Sequence, residues 1–437
     1  MLLALLGALP AYAAGMSILR DEETEQYLKI MTKPVFDQAG LSADAVKFVL
    51  VDNSALNAFV AGGQNIFLHT GLILETENAA ELVGVIAHES GHIASGHLFR
   101  GQADMSSLSL QAMLANLLGV VVAIGVGAPD AGVAISSAGG SLLSRTFLRH
   151  TRTQEGSADQ SGVRFLQGAG LPLTGFLSFM KKLSAQELLP ESQQSEYVRT
   201  HPMTQDRIDS LQHAVDAGPA GETPAAWDDL HRRIKAKLLG YLFPDRALQM
   251  KDVSVATQYG HAVAWFRKGQ LDKALETLEP LIKSEPRNPY FRELKGQMLF
   301  ENSRIEDSIP VYAEAVALAP FSGLLRIAYA HSLLESREHK EERLAEAIKQ
   351  LLVAAEKEKQ SSEARHLLAI AYGKQGQEGL SRLNLAEEAL MQNRMDFAKR
   401  EASLARVNLK KGTPSYQRAQ DILDAVERNK KKPEKKD

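Results

Sequence analysis

His88-Glu89-Ser90-Gly91-His92 stands in an apolar stretch with Leu82, Val83, Val85, Ile86 and Ala87, whose spacing predicts a helix over residues 77–98. Positions i and i+4 differ by about 40° around a helix, so both imidazoles project from one face. Two neutral imidazole nitrogens so placed can hold one zinc ion. Glu89 is offset from that face and can reach a metal-bound water, whose pKa the metal lowers to about 7, and take its proton. The chemistry this pattern points to is metal-assisted hydrolysis. Two ordinary polar histidines are the alternative, and the apolar setting weighs against it.

A catalytic zinc needs a third protein ligand. His97 is the nearest candidate, but it follows His92 by five residues, and Gly96 follows by four. The metzincin pattern requires six and three, so that register fails. Glu155-Gly156-Ser157-Ala158-Asp159 is the better source. Glu155 and Asp159 again stand at i and i+4, so one helical face presents both carboxylates. Glu155 can ligate the metal, and Asp159 can accept the outer N–H of a ligand histidine and fix its tautomer.

The elements that must position these residues are largely helical. An amphipathic helix is expected over 20–40, short strands over 46–51 and 65–69 with Gly62-Gly63 as the intervening turn, and helices over 153–168 and 172–184. A Pro/Gly-rich stretch from Ala217 to Pro224 marks a boundary. Beyond it Phe266 recurs as Phe300, Gly269 as Ser303, Ala274 as Ser308 and Pro286 as Pro320, a period of 34 that fits tetratricopeptide repeats. The expected organisation is a signal peptide over 1–13, a catalytic domain over 14–215, a linker over 216–225, a repeat domain over 226–427 and a basic tail over 428–437. The signal peptide rests on an apolar opening that ends in Ala11-Tyr12-Ala13, an A-x-A pattern, and is too short to span a bilayer.

The chain has 437 residues, with Lys+Arg 50 against Asp+Glu 53 for a net charge of -3, and no cysteine. Near-neutral charge argues against nucleic acid as a partner. Lack of cysteine excludes disulfides, thiolate zinc sites and cysteine nucleophiles. Two apolar runs, Leu114–Val126 and Ala131–Leu143, flank Gly127-Ala128-Pro129-Asp130. Each is about 13 residues, short of the roughly 20 needed to cross a bilayer. They are expected to be helices that partly cover the cleft, with shallow membrane contact or a true span as the alternatives.

H-E-x-x-H followed by the distant E-x-x-x-D resembles the zinc metalloprotease family that includes HtpX and the CAAX prenyl proteases. The stretch from Asn57 to Ile66 is similar to the family's edge strand before the zinc helix. The run from His201 to Ile208 is similar to its downstream H-P-x-x-x-x-R-I element. With the leader and repeats added, the chain looks like the family's BepA-like periplasmic members. The resemblance implies a mainly α protein: an α+β zincin-like domain with a small sheet, then an all-α tetratricopeptide-repeat solenoid. It implies one zinc per chain on His88, His92 and Glu155, Glu89 as general base and Asp159 as a partner of a ligand histidine. His201 is implied near the metal, where it either displaces the catalytic water or assists the oxyanion, and Arg207 as a brace on a carboxylate. Asn65, Ile66, Phe67 and Leu68 are expected to form the edge strand that receives an extended substrate, with an internal strand packed on both sides as the alternative. The function implied is a periplasmic zinc endopeptidase that cleaves misfolded or misassembled envelope proteins, its repeats binding clients or an outer-membrane assembly complex. The alternative is a chaperone or scaffold for outer-membrane protein assembly with a mostly latched metal site.

Overall fold

In the computed structural model, which describes residues 17–96, 151–187, 189–190 and 193–430, Asp21 opens the first helix. Its side chain accepts from Thr24 N–H, and Glu22, Glu23 and Glu25 place negative charge in the first turn of α1 (Glu22–Ala39). The expected leader, His97, the apolar runs within 114–143 and the tail beyond Lys430 lie outside the described residues.

The sheet has four short strands, β1 (Ile18–Leu19), β2 (Lys47–Val51), β3 (Ala58–Ala61) and β4 (Asn65–His69), of which β2 and β4 fall on the strands expected at 46–51 and 65–69. Gly62 and Gly63, both at positive φ, turn β3 into β4. The sheet order is β1-β2-β4-β3. β4 runs parallel to β2 in register Phe48↔Ile66 and Leu50↔Leu68, and antiparallel to β3 in register Phe59↔Phe67. Asn65, Ile66, Phe67 and Leu68 are therefore not an edge strand, as the sequence suggests, but an inner one with both sets of backbone groups engaged. Phe48, Phe59 and Phe67 are buried, and the Phe59 and Phe67 rings stack at 4.8 Å across the β3–β4 pair. Among the described residues β3 is the outer strand on that side.

The helices of the first compact unit follow the sheet: α2 (Thr70–Glu75), α3 (Ala79–Ala94), α4 (Arg152–Gly168), α5 (Thr174–Glu187), α6 (Glu196–Thr200), α7 (Gln205–Ala217) and α8 (Ala225–Leu242). The unit ends at Leu239, beyond the linker expected at 216–225. Polar contacts along α8 give the reason. Asp228 Oδ1 accepts from Ala79 N–H at 3.0 Å, at the start of α3. His231 Nε2 meets Thr76 Oγ1 at 2.8 Å, and Lys235 Nζ donates to Thr76 O at 2.6 Å. Lys237 Nζ reaches Asp21 at 2.5 Å and Glu23 at 3.0 Å. The Pro/Gly stretch turns the chain, and α8 then packs back on this unit.

The second unit, from Gly240, is entirely helical in its described elements. After α9 (Pro244–Ala247) come five helix pairs: α10 (Val255–Arg267) with α11 (Leu271–Ser284), α12 (Pro289–Glu301) with α13 (Ile305–Leu318), α14 (Gly323–Glu335) with α15 (Lys340–Lys357), α16 (Ser362–Lys374) with α17 (Glu378–Met391), and α18 (Met395–Asn408) with α19 (Pro414–Lys430). The 34-residue offset is visible in the backbone. Gly269 at φ 70° and Ser303 at φ 62° both follow the end of the first helix of a pair. Ala274 and Ser308 are both fully buried on the second helix, where small side chains let the paired helices close up. The cores run from pair to pair, from Tyr259, Phe266 and Phe291 through Leu333, Leu351 and Leu368 to Ala402 and Ile422.

Candidate metal centre

Asn78 caps α3 by accepting from Glu81 N–H, and the apolar run Leu82 to Ala87 buries the helix, so His88, Glu89 and His92 are fully enclosed. α4 approaches closely because two glycines leave room. A Cβ on Gly91 would stand 2.6 Å from Ala158 O, and one on Gly162 would stand 3.3 Å from His88 N. A capping box between Thr151 and Gln154 starts α4, which puts Glu155 in its first turn facing the histidines.

The ligand-type atoms of His88, His92, Glu155 and His201 all lie within 4.8 Å of one another. His88 Nε2 and His92 Nε2 are 3.1 Å apart, His88 Nε2 and Glu155 Oε2 3.4 Å, and His92 Nε2 and Glu155 Oε1 3.3 Å. Tetrahedral zinc with bonds of about 2.0–2.1 Å needs ligand–ligand spacings of about 3.3–3.4 Å. The three side chains fit such an ion. His201 ends α6, and its Nδ1 comes within 3.4 Å of His88 Nε2 and 3.0 Å of Glu155 Oε1, completing a four-atom cluster.

A second layer fixes this one. His88 Nδ1 faces Asp159 Oδ1 at 2.8 Å; an N–H there directs the Nε2 lone pair at the ion position. Arg207, from the first turn of α7, donates through Nε to Asp159 Oδ2 at 2.6 Å and through Nη2 to Oδ1 at 2.8 Å. Its Nη1 lies 2.8 Å from Glu155 Oε2 and also donates to Pro202 O at 2.8 Å. One buried guanidinium thus holds both carboxylates of α4 and the backbone just after His201.

Burial opposes charge on every group here, and the neighbours decide the outcome. Glu155 and Asp159 overcome the burial of His88 and push its pKa up to about 10. Burial would raise Glu155, but His201 and His88 hold it well below the ordinary carboxylate range. Arg207 and His88 likewise outweigh burial at Asp159 and lower it. Glu89 goes the other way, raised chiefly by burial, with Glu155 adding to the effect. A buried carboxylate with increased proton affinity suits a general base. A cation bound at His88 competes with its proton, so binding releases protons.

The structure therefore brings together His88, Glu89, His92, Glu155, Asp159, His201 and Arg207. Sequence reasoning missed Tyr197, whose hydroxyl donates to Glu89 Oε1 at 3.3 Å. Its available signal was a position four residues before His201, one helical turn away. The glycine contacts at Gly91 and Gly162 were also missed, since Gly91 occupies a variable position of H-E-x-x-H.

Residues 22–215 match the family model of peptidase family M48, and residues 259–323 match that of the tetratricopeptide repeat. The chain is 25% identical over 336 residues to the "Beta-barrel assembly-enhancing protease" of Yersinia pestis, covering 74% of this chain and 68% of the relative. It is 29% identical over 290 residues to the "Putative beta-barrel assembly-enhancing protease" of Vibrio cholerae, covering 63% of this chain and 58% of the relative. It is also 26% identical over 164 residues to "Metalloprotease LoiP" of Escherichia coli, covering 37% and 60%. The matched stretches thus span about three fifths to two thirds of these relatives' own length. Among solved structures, "MamA MSR-1 C2" matches at 16% identity and a TM-score of 0.30, over 37% of this chain and 98% of its own, a likeness too loose to build on.

Proposed function

We propose that this chain, a peptidase family M48 domain followed by tetratricopeptide repeats and homologous to the beta-barrel assembly-enhancing proteases, is a zinc endopeptidase of the periplasm. The observation that carries the reading is the convergence of His88, His92 and Glu155 at tetrahedral spacing with Glu89 beside them. Zinc would supply a polarised carbonyl and a water acidic enough to ionise near neutral pH.

The chain's own residues do the rest. Glu89 takes the water's proton and returns it to the leaving amine. Asp159 keeps His88 in the tautomer whose Nε2 faces the metal. Arg207 neutralises Asp159 and braces Glu155, so neither carboxylate must be buried as an isolated charge. His201 Nδ1 lies 3.4 Å from His88 Nε2 and 3.0 Å from Glu155 Oε1, which supports a latched resting state in which His201 would serve as a fourth ligand and move aside to admit water and substrate. The apolar opening with Ala11-Tyr12-Ala13 supports export. No helix among the described residues is long and apolar enough to cross a membrane.

The substrates proposed are misfolded or misassembled envelope proteins, with the helix pairs from Val255 to Lys430 as the surface that recruits clients or an outer-membrane assembly complex. The test is incubation of the purified chain with an unfolded β-barrel protein and with the same barrel folded in detergent. The reading expects cleavage of the unfolded form alone, lost in Glu89→Gln. Equal cleavage of both forms, or cleavage by Glu89→Gln, contradicts it.

A further inference from the structure

Tyr197 and His201 stand one turn apart, so they face the same side of α6 and its end. Their rings stack with centroids 4.3 Å apart and planes 24° apart. Phe179 meets the tyrosine edge-on at 6.1 Å. The ring is 1% exposed. Its backbone is held as well: Ser195 caps α6, and Tyr197 N–H donates to Leu56 O at 3.2 Å, next to the sheet. From this fixed ring the hydroxyl donates to Glu89 Oε1. The other oxygen of that carboxylate, Oε2, is buried and has no hydrogen-bond partner among the described residues.

A carboxylate at the end of a glutamate rotates in a broad, roughly two-fold well, so its two oxygens exchange unless something holds one of them. A base does its work from one oxygen at hydrogen-bond reach of the proton it takes. We propose that Tyr197 is a positioning residue for hydrolysis: its hydroxyl pins Glu89 Oε1, leaving Oε2 to receive the water's proton, while its ring seats His201. One side chain then links the base to the histidine at the fourth corner. His201 Nε2 also lies 3.6 Å from Glu89 Oε1, so movement of His201 is felt at Glu89 both directly and through the stacked ring. The proposal rests on the reading of Glu89 as general base, and the experiment separates the two.

Tyr197→Phe keeps the ring and removes only the O–H. In steady-state assays of the full chain on a fluorogenic peptide, with zinc content measured on the same samples, kcat falls roughly tenfold while KM and zinc content hold. Tyr197→Leu, which also loses the ring, differs from Tyr197→Phe in kcat when His201 is present. The two coincide in a His201→Ala background, where the ring has nothing to seat. Full kcat in Tyr197→Phe beside an inert Glu89→Gln overturns the proposal and leaves the base standing. Full activity in Glu89→Gln removes the base and the proposal with it. Loss of zinc or a raised KM in Tyr197→Phe assigns the tyrosine to structure or substrate binding, and this also overturns the proposal.

Discussion

Asp159 answers to two cations at once. It accepts from Arg207 on both oxygens and faces His88 Nδ1 with one of them. Removing its charge while keeping its shape should leave the fold and loosen the metal. In Asp159→Asn the amide cannot match both partners, and zinc affinity should fall about 10–100-fold, measured by competition against a chromophoric chelator. Unchanged affinity would reduce Asp159 to a prop for Arg207. At this scale the sequence was most informative where chemistry depends on helical spacing. The four-residue intervals His88–His92 and Glu155–Asp159 put each pair on one face before any tertiary contact is known. Tyr197 carries only its four-residue interval to His201, because its partner Glu89 is 108 positions away and nothing in the local pattern links those two.

Among the elements, α8 is the one whose placement departs furthest from expectation, and His231 reports on it. Burial, with Lys235 nearby, lowers His231 to about 4 from its ordinary 6.5. The folded protein keeps this ring neutral, whereas the unfolded chain protonates it below 6.5. Its contribution is therefore complete above that pH and is lost as pH falls towards 4. The loss amounts to about 3 kcal/mol. Denaturant titrations between pH 7 and 4 should show wild type losing that much more stability than His231→Gln, and parallel curves would contradict the buried placement. The strands tell a related story. β2, β4 and the turn at Gly62-Gly63 are legible from short apolar runs and glycine, whereas the two-residue β1 leaves no such mark. The strand order is not legible, because the parallel pairing of β4 with β2 joins strands separated in sequence by β3, and no local period encodes it.

For the whole molecule, the two compact units divide at Leu239 and Gly240. The repeat period was legible because each helix pair reuses one packing solution, and residues 34 apart meet the same demand, as Ala274 and Ser308 do. The boundary was harder to read, since a Pro/Gly stretch announces a turn but does not say on which body the next helix packs. A chain ending at Leu242 keeps α8 and should retain zinc and cleavage of a short peptide, while losing efficiency on a protein client. A chain ending at Thr223 removes Lys237 from Asp21 and Glu23. It should be destabilised by about 3–5 kcal/mol in denaturant titration, and equal stability of the two truncations would return the boundary to the linker.

On the proposed function, His88, His92 and Glu155 hold one zinc ion against which Glu89 acts as base and His201 as latch. Zinc content and casein hydrolysis, measured side by side for the purified protein, Glu89→Gln and His201→Ala, test it most directly. One zinc per chain is expected in wild type and Glu89→Gln, with hydrolysis abolished in Glu89→Gln and raised in His201→Ala. Zinc absent from the wild-type chain, or turnover undiminished without the Glu89 carboxylate, would contradict it.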